Sequence, residues 1–379
     1  MKVRSRARRA VSIAVLFAGA LATAAAQQPA QPAAKPKKSP FLKLIEPWPT
    51  PEQMRQRKLD AEASPLFAAV EPLEVTLTAD FKALNKDRNP ESKQRYPATL
   101  KAGDAPPLDV ELGARGHVRR MARTCDYVPL LVDIPKKAAA GTVFAKQDAV
   151  KLVVQCAGGG EYEQYILREY LAYRIFNVIT HRSFRARLAR VSYVDRASGK
   201  PAGTRLGMFL EQDSDVARRM EGRIVELPRL KFEELDMDTL MPMMIFEYMI
   251  GNTDFSIYAL HNVRVVQRQD KSLHPVPYDF DFSGLVNPPY AVPARGMMLK
   301  SVVDRKYRGP CRRQEQVDPI IANFVAKKDL IRALPESIPG ISRATRDDAR
   351  SYIDSFYGSI RSTKDVRGLF VSCDPKPTM

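Results

Sequence analysis

Two short segments in the second half of the chain carry side chains that could serve one chemical step together. One is GNTD at 251–254, followed by a His-Asn pair at 261–262, and the other is YDFDFSG at 278–284. Their oxygen-bearing side chains include Asp254, Asn262, Asp279 and Asp281. Phosphoryl transfer needs a carboxylate to orient the attacking hydroxyl and hard oxygen ligands that hold Mg²⁺ on the phosphates. The two segments therefore predict a phosphoryl-transfer site.

Each segment also has a purely structural interpretation. Gly, Asn and Asp are common turn residues, and Asp-Phe-Asp at 279–281 would suit an edge strand with solvated acids. If 279–281 is extended, both carboxylates point to the face opposite Phe280, where they repel each other unless a cation lies between them. The apolar residues that flank both segments should draw them inward, which favours one functional site over two separate turns.

The first half of the chain must supply the sheet that positions these segments. Period-two alternation predicts strands over 73–78, 108–112, 128–134, 150–154, 188–193 and 205–210. Residues 162–179 carry an apolar stripe with the helical period. We therefore expect an antiparallel sheet with one packed helix.

The second half is predicted to be mostly helical. A Met-rich helix over 237–250 ends at Gly251, where glycine suits a left-handed C-cap. A strand is expected over 259–266, and helical patterns return over 319–360. These patterns predict a two-lobed α+β domain over 66–370, with the N-terminal lobe ending at about residue 215.

The order of the two acidic segments resembles that in CotH-type (spore-coat protein H) kinases and, more loosely, in HipA-type kinases. Upstream stretches that also resemble the CotH family are ARGH at 114–117, KLV at 151–153, LREYLAY at 167–173 and LGMFLE at 206–211. The resemblance covers about 108–284. It implies a two-lobed protein-kinase-like fold, an N-terminal antiparallel sheet with one helix and a mostly helical C-terminal lobe, with ATP and Mg²⁺ as cofactors.

The resemblance also implies roles for the residues of the acidic segments. Asp254 would be the catalytic aspartate that orients the acceptor hydroxyl. Asn262 and Asp279 would be Mg²⁺ ligands, and Asp281 would be a second or supporting ligand.

The upstream stretches would contact the nucleotide. Lys151 would reach the α- and β-phosphates and pair with Glu169 on the helix. Arg115 and Gly116 would approach the phosphates, and Glu211 would lie near the adenine edge. Without the resemblance, Lys151 and Glu169 are about equally well explained as surface residues.

The N-terminal residues predict export. Residues 2–9 include five basic and no acidic side chains, an apolar run covers 10–22, and small residues precede a cut after Ala26. An uncleaved anchor is the alternative, although the run is shorter than the roughly 20 residues of a membrane span. The signal peptide would be 1–26, with a disordered Pro/Ala/Lys-rich linker over 27–65. With no later transmembrane segment, we expect a periplasmic or extracellular protein.

The chain is strongly basic, with a formal net charge of +17, of which the signal peptide contributes five, leaving +12. Such a surplus attracts anions of several classes, including nucleotides, acidic proteins and nucleic acid. Neither zinc-finger spacing nor an aromatic RNA-binding motif is present, which disfavours specific nucleic-acid binding. The histidines follow neither a metal-triad nor a Ser-His-Asp order, which disfavours a histidine-based hydrolase.

Four cysteines lie in the mature chain, and none has CxxC spacing. Export makes disulfides the expected state, with three possible pairings, and four buried thiols are the alternative. We favour Cys125 with Cys156 and Cys311 with Cys373, because each pair lies within one half of the chain.

These features yield one main hypothesis and two rivals from other classes. The first is an exported Mg²⁺- and ATP-dependent phosphotransferase that modifies Ser or Thr of a secreted or envelope protein, with acidic proteins suited to its charge. The second is a catalytically silent, kinase-like binding or structural protein. The third is an exported polyanion binder, whose binding would fall steeply with salt.

Overall fold

The computed structural model describes residues 42–372, with side chains from 44 onward. The predicted signal peptide, the first part of the predicted linker and Cys373 lie outside these residues. The strands and helices below are therefore those of the described part of the chain.

The strands form two sheets. The strands of the larger sheet are β1 (Leu73–Ala79), β2 (Tyr96–Ala102), β3 (Leu108–Ala114), β4 (Leu130–Asp133), β5 (Ala149–Val154), β6 (Ala186–Asp195) and β7 (Pro201–Leu210). They form a closed barrel in the order β1-β2-β3-β4-β5-β7-β6. The strands of the smaller sheet are β8 (Gly222–Val225), β9 (Val263–Arg268) and β10 (Leu273–Pro277), in the order β10-β9-β8.

The helices surround these sheets and fill most of the C-terminal part. They are α1 (Leu42–Ile45), α2 (Pro51–Glu62), α3 (Phe81–Lys86), α4 (Lys136–Ala139), α5 (Gly160–Ile179), α6 (Asp213–Arg219), α7 (Met237–Ile250), α8 (Gln314–Ala326), α9 (Lys328–Ser337), α10 (Arg343–Ser359) and α11 (Thr363–Val366). Shorter turns of 3₁₀ or π type are Pro65–Phe67, Val118–Arg120, Phe232–Glu234 and Arg367–Val371.

The barrel closes between β1 and β6, which run parallel with Leu73 opposite Ala189 and Ala79 opposite Asp195. The other neighbouring strands of the barrel are antiparallel. Closure leaves this sheet without the unpaired edges that an open sheet exposes.

The predicted two-lobed protein-kinase-like fold is wrong. The strands of the first half do not form an antiparallel sheet but a closed mixed barrel, and the second half begins with strands of its own sheet. Sequence alternation identifies a strand without identifying its partner. The closing pair joins Leu73 to Ala189, so this tertiary pairing left no local signal that could have corrected the prediction.

One stretch predicted as disordered linker is ordered as helix α2. Thr50 is its N-cap: the Thr50 hydroxyl accepts from the Gln53 N–H at 3.2 Å, and the Gln53 side chain accepts from the Thr50 N–H at 3.1 Å. Pro51 follows at the first helical position, where its missing N–H costs nothing. This capping box overrides the polar composition on which the linker prediction relied.

Strand β5 separates two hydrophobic clusters and so determines what faces the site. Leu152 and Val154 belong to the cluster inside the barrel, whereas Val153 belongs to the cluster around α5 and α7. Because side chains alternate along a strand, Lys151 lies on the same outer face as Val153. The outer face of β5 is therefore the one that can contribute to a site outside the barrel.

Helix α7 ends where the first acidic segment begins, as the sequence predicts. Gly251 has a φ of 66°, and its N–H donates to the Tyr248 carbonyl at 3.1 Å. The Asn252 N–H then donates to the Glu247 carbonyl at 2.8 Å. This left-handed cap turns the chain sharply and fixes the start of the GNTD segment on a buried helix.

The predicted disulfide between Cys125 and Cys156 is confirmed, and the two cysteines are 31 residues apart in the sequence. A disulfide is compatible with an oxidising compartment outside the cytoplasm. None of the helices within residues 42–372 combines the length and the hydropathy needed to cross a bilayer.

Candidate functional site

Six of the nine predicted site residues line one cavity of about 400 Å³. These six are Arg115, Gly116, Asp254, Asn262, Asp279 and Asp281. Other polar side chains in its wall are those of His117, Arg119, His261, Arg264 and Tyr278. Lys151, Glu169 and Glu211 are not among the lining residues. The cavity thus combines carboxylates with guanidinium groups.

Backbone hydrogen bonds tie the two acidic segments to each other. The Gly284 N–H donates to the Gly251 carbonyl at 3.1 Å, and the Leu285 N–H donates to the Ile250 carbonyl at 2.9 Å. Further along, the Tyr278 N–H donates to the Asn262 carbonyl at 3.0 Å. The segments are therefore held side by side independently of any ligand.

Asp254 is held by its two neighbours in the cavity wall. His261 Nε2 lies 3.3 Å from Asp254 Oδ1, and Asn262 Nδ2 donates to Asp254 Oδ2 at 3.1 Å and to the Asp254 carbonyl at 2.7 Å. The hydrogen bond to Asp254 raises the pKa of His261 above its ordinary value. Asp254 remains partly exposed, with 36% of its side chain accessible, so it can still meet a second molecule.

Asp279 does not lie in the extended segment that the sequence suggests. Its φ is 66°, in the left-handed region that costs a non-glycine residue energy, and its N–H donates to the Tyr173 hydroxyl at 2.9 Å. Phe280 is fully buried against Tyr173, with ring centroids 4.7 Å apart. Strand β10 ends at Pro277, so the strained turn after it directs Asp279 into the cavity.

Asp281 is a buried carboxylate with few partners. Tyr290 donates its hydroxyl hydrogen to Asp281 Oδ2 at 3.1 Å, and only 4% of Asp281 is exposed. Burial, together with the nearby Asp279 carboxylate, raises the pKa of Asp281 to about 7. Since removal from water disfavours an anion, this acid would gain from a nearby cation.

Glu169, on α5, pairs with Arg119 rather than with Lys151. Glu169 Oε2 lies 3.7 Å from Arg119 Nη1, and both side chains are almost fully buried. Burial and the Asp281 carboxylate raise the pKa of Glu169 well above its ordinary value, an effect that Arg119 opposes. Glu169 therefore stands behind the cavity wall and connects α5 to the turn Val118–Arg120.

Lys151 belongs to a different ion pair. Its Nζ lies 2.5 Å from Asp213 Oδ1, and Arg264 Nε donates to Asp213 Oδ2 at 2.6 Å. Burial lowers the pKa of Lys151 to about 8 despite this partner. The ammonium group also lies 5.1 Å from the centre of the Tyr278 ring. The predicted Lys151–Glu169 pairing is therefore wrong.

Glu211 is a fully buried structural acid. Both of its carboxylate oxygens accept hydrogen bonds from guanidinium groups, with Arg185 Nη2 at 2.7 Å from Oε1 and Arg219 Nη2 at 2.7 Å from Oε2. The same carboxylate also accepts from the Arg185 N–H at 2.9 Å. Its hydrogen-bonding capacity is used to join the end of β7 to α6 and to the start of β6.

Sequence reasoning assigned no role to several residues of this site, chiefly Arg119, Tyr173, Asp213, His261 and Arg264. Arg119 lies in a basic run with Arg115, Arg120 and Arg123, and the pattern alone does not distinguish its members. His261 directly precedes the predicted ligand Asn262, and this adjacency was the one available signal.

The cavity offers oxygen donors but no complete set of protein ligands for a metal ion among the described residues. Within residues 42–372, no three or more His, Cys, Asp and Glu side chains are arranged to hold a metal ion. Mg²⁺ commonly takes only one or two carboxylates, with phosphates and waters completing its shell. Asn262 directs its amide nitrogen to Asp254, so its amide oxygen is the atom it could offer to a cation. Asp279, Asp281 and the amide oxygen of Asn262 are therefore the donors in the cavity that a cation could use.

No protein-family model matches the chain, and no curated protein matches it either. The resemblance to CotH-type kinases therefore depends on the quoted motifs alone.

Proposed function

We propose that this protein transfers a phosphoryl group from ATP to a hydroxyl group in an Mg²⁺-dependent reaction at the described cavity. The observation that carries the proposal is the convergence of six separately predicted residues on one cavity wall. Acids that could hold a cation and guanidinium groups that could hold phosphates share that wall, which is the combination phosphoryl transfer requires.

Each lining residue then has a distinct task. Asp254 would orient the acceptor hydroxyl and accept its proton, the role that the motif resemblance implies, and 36% of its side chain is exposed. Asp279 and Asn262 would hold Mg²⁺, with Asp281 supporting it, and the bound ion would offset the negative charge of the phosphates. Arg115 follows β3 and, with Gly116, would approach the phosphates from the barrel side.

The acceptor proposed from the motif resemblance is Ser or Thr of a secreted or envelope protein. The net charge of the mature chain favours acidic acceptors, because long-range attraction raises the rate at which such partners associate. The disulfide and the predicted signal peptide favour a site of action outside the cytoplasm.

The test is phosphate transfer by the purified protein with Mg²⁺ and γ-labelled ATP, offered itself and a generic acidic protein. Asp254→Asn and Asp279→Ala should each reduce labelling by about 10²–10⁴-fold. Asp347→Asn is the matched control, because Asp347 is an exposed acid on α10 and should leave labelling unchanged. Labelling that persists in both site variants would exclude the proposal.

One observation favours a second candidate, a binding protein without catalysis. Both carboxylate oxygens of Asp254 already have partners, His261 on one and Asn262 on the other. A base so engaged is less available to an acceptor hydroxyl. Nucleotide-dependent thermal stabilisation without any labelling would support this candidate over the phosphotransferase.

A further inference from the structure

The cation that meets the phosphates of the proposed nucleotide can be inferred from how the buried positive charges are paired. Lys151, the residue expected to contact the phosphates, is instead held in an ion pair outside the cavity. It contacts Asp213 at 2.5 Å, and Asp213 is shared with Arg264 at 2.6 Å. Moving Lys151 to a phosphate would break a buried ion pair, and Lys151 is not among the residues that line the cavity.

Arg119 is placed differently. It lines the cavity together with Asp279 and Asp281, although only 8% of the residue is exposed. Its contact with Glu169, at 3.7 Å, is an ion pair that is too long for a hydrogen bond. Within the described residues its buried Nε has no hydrogen-bond partner, and Nη2 donates to the Val154 carbonyl. The guanidinium group therefore keeps donors that its surroundings do not satisfy.

The surroundings of Arg119 hold its backbone firmly. The next residue, Arg120, is buried in an ion pair with Asp87 at 2.6 Å. Arg88 donates to the Arg120 carbonyl at 3.1 Å and to the Cys125 carbonyl at 2.8 Å. Cys125 is in turn joined to Cys156 beyond the end of β5. A side chain mounted on so rigid a turn loses little entropy when it meets a ligand.

The guanidinium group of Arg119 also stays positively charged. Burial opposes its charge, but Tyr290 and the carboxylates of Asp281, Glu169 and Asp279 outweigh that effect and raise its pKa. A guanidinium group presents several donors in a planar fork that matches phosphate oxygens, and it is charged at every physiological pH.

We infer that Arg119, and not Lys151, is the buried cation that contacts the phosphates of the nucleotide, with Glu169 as the residue that positions it. This inference rests on the proposed function. It assigns Lys151 a structural task, the tie between β5 and α6 through Asp213.

The experiment compares binding of Mg²⁺–ATP, Mg²⁺–ADP and adenosine to the wild-type protein, Arg119→Met, Arg119→Lys and Lys151→Met by titration calorimetry. We expect Arg119→Met to weaken ATP binding by about 10–100-fold, the range for loss of a charged hydrogen bond, and to leave adenosine binding unchanged. Arg119→Lys keeps the charge beside Glu169 and should weaken ATP binding by less. Lys151→Met should lower the unfolding midpoint and keep the ATP affinity.

A fourth variant, Arg119→Ala, tests chemical rescue: added guanidinium ion should restore part of its ATP affinity without raising its unfolding midpoint, whereas rescue of a purely structural role would raise the midpoint. Loss of ATP binding in Lys151→Met with affinity retained in Arg119→Met would overturn the inference, as would equal losses in both variants. If the wild-type protein binds none of the three ligands, the proposed function fails and the inference falls with it. Nucleotide binding by the wild-type protein therefore distinguishes failure of the Arg119 inference alone from failure of the proposed function.

Discussion

The hydroxyl of Tyr173, in the middle of helix α5, accepts the backbone N–H of Asp279 at a distance of 2.9 Å. Asp279 has a φ of 66°, so this bond helps to hold a conformation that a non-glycine residue rarely adopts. Helix α5, through the buried side chain of Tyr173, thus determines where a proposed Mg²⁺ ligand points.

Tyr173→Phe should therefore weaken the site while leaving the fold intact. Loss of the acceptor leaves a backbone N–H unpaired, which should cost about 1–3 kcal/mol of unfolding free energy. Displacement of Asp279 should lower phosphate transfer by about 10–100-fold. Tyr170→Phe is the matched control, because the Tyr170 hydroxyl accepts from Arg174 on the same helix and does not contact the acidic segments in the described part of the chain. Equal transfer rates in the two variants would argue against a positioning role for Tyr173.

Glu211→Gln should lower the stability of the fold without changing the affinity for nucleotide. The change leaves the guanidinium groups of Arg185 and Arg219 beside a neutral buried amide, which should cost about 3–5 kcal/mol in denaturant unfolding. Nucleotide affinity should stay unchanged, because Glu211 does not line the cavity. Glu74→Gln removes an exposed acid and should change stability by less than about 1 kcal/mol. A selective loss of adenine binding in Glu211→Gln would instead favour the role that the motif resemblance implies.

The pH dependence of stability should report on Glu247, which lies in the last turn of α7. Burial raises the pKa of Glu247 to about 8, although the nearby Asn252 amide and Arg308 guanidinium group oppose that shift. Between about pH 4.5 and 8 the folded state keeps a proton that the unfolded state has lost, so this group makes stability fall as pH rises.

Glu247→Gln should remove that dependence. Its unfolding free energy should rise relative to wild type by about 2–4 kcal/mol between pH 5 and 8, measured by urea denaturation at a series of pH values. Parallel curves for the two proteins would show that Glu247 is ionised in the folded state.

Removal of the disulfide with Cys125→Ala and Cys156→Ala together should lower the unfolding free energy by about 3–4 kcal/mol, the chain-entropy value for a loop of this length. Because the turn Val118–Arg120 that carries Arg119 lies just before Cys125, ATP affinity should fall as well. The measurement is denaturant unfolding with and without Mg²⁺–ATP. An unchanged midpoint would mean that the loop is fixed by Arg88 and Arg120 without the covalent link.

Local patterns in the sequence predicted many of the elements, although not strands β2, β8 and β10, and they did not predict the assembly. Helix 237–250 is confirmed with its predicted bounds, because its apolar residues and the glycine cap act locally. The Cys125–Cys156 bond is confirmed. The parallel closure of the barrel was missed, because strand pairing depends on surfaces that only the folded chain brings together.

For the candidate site as well, the sequence indicated which segments meet but not how their side chains pair. The two acidic segments meet as predicted, because both follow buried elements whose ends the sequence indicates. The pairing of Lys151 with Asp213 and of Glu169 with Arg119 was missed, because several basic residues were available and only distance decides among them. The turn at Asp279 was missed because an Asp-Phe-Asp alternation does not reveal a change in φ.

The parallel pairing of β1 with β6 also constrains the order in which the protein can form. During synthesis, β1 emerges long before the stretch Ala186–Asp195 that must bind along it. Until then both β1 and β5 have unpaired edges, the kind of surface through which nascent chains associate wrongly. Contacts between residues so far apart in sequence also slow folding, because the intervening chain must be ordered first. Secretion in an unfolded state would postpone barrel closure until β7, which joins β6 to β5, has crossed the membrane, so chaperone demand should end only then.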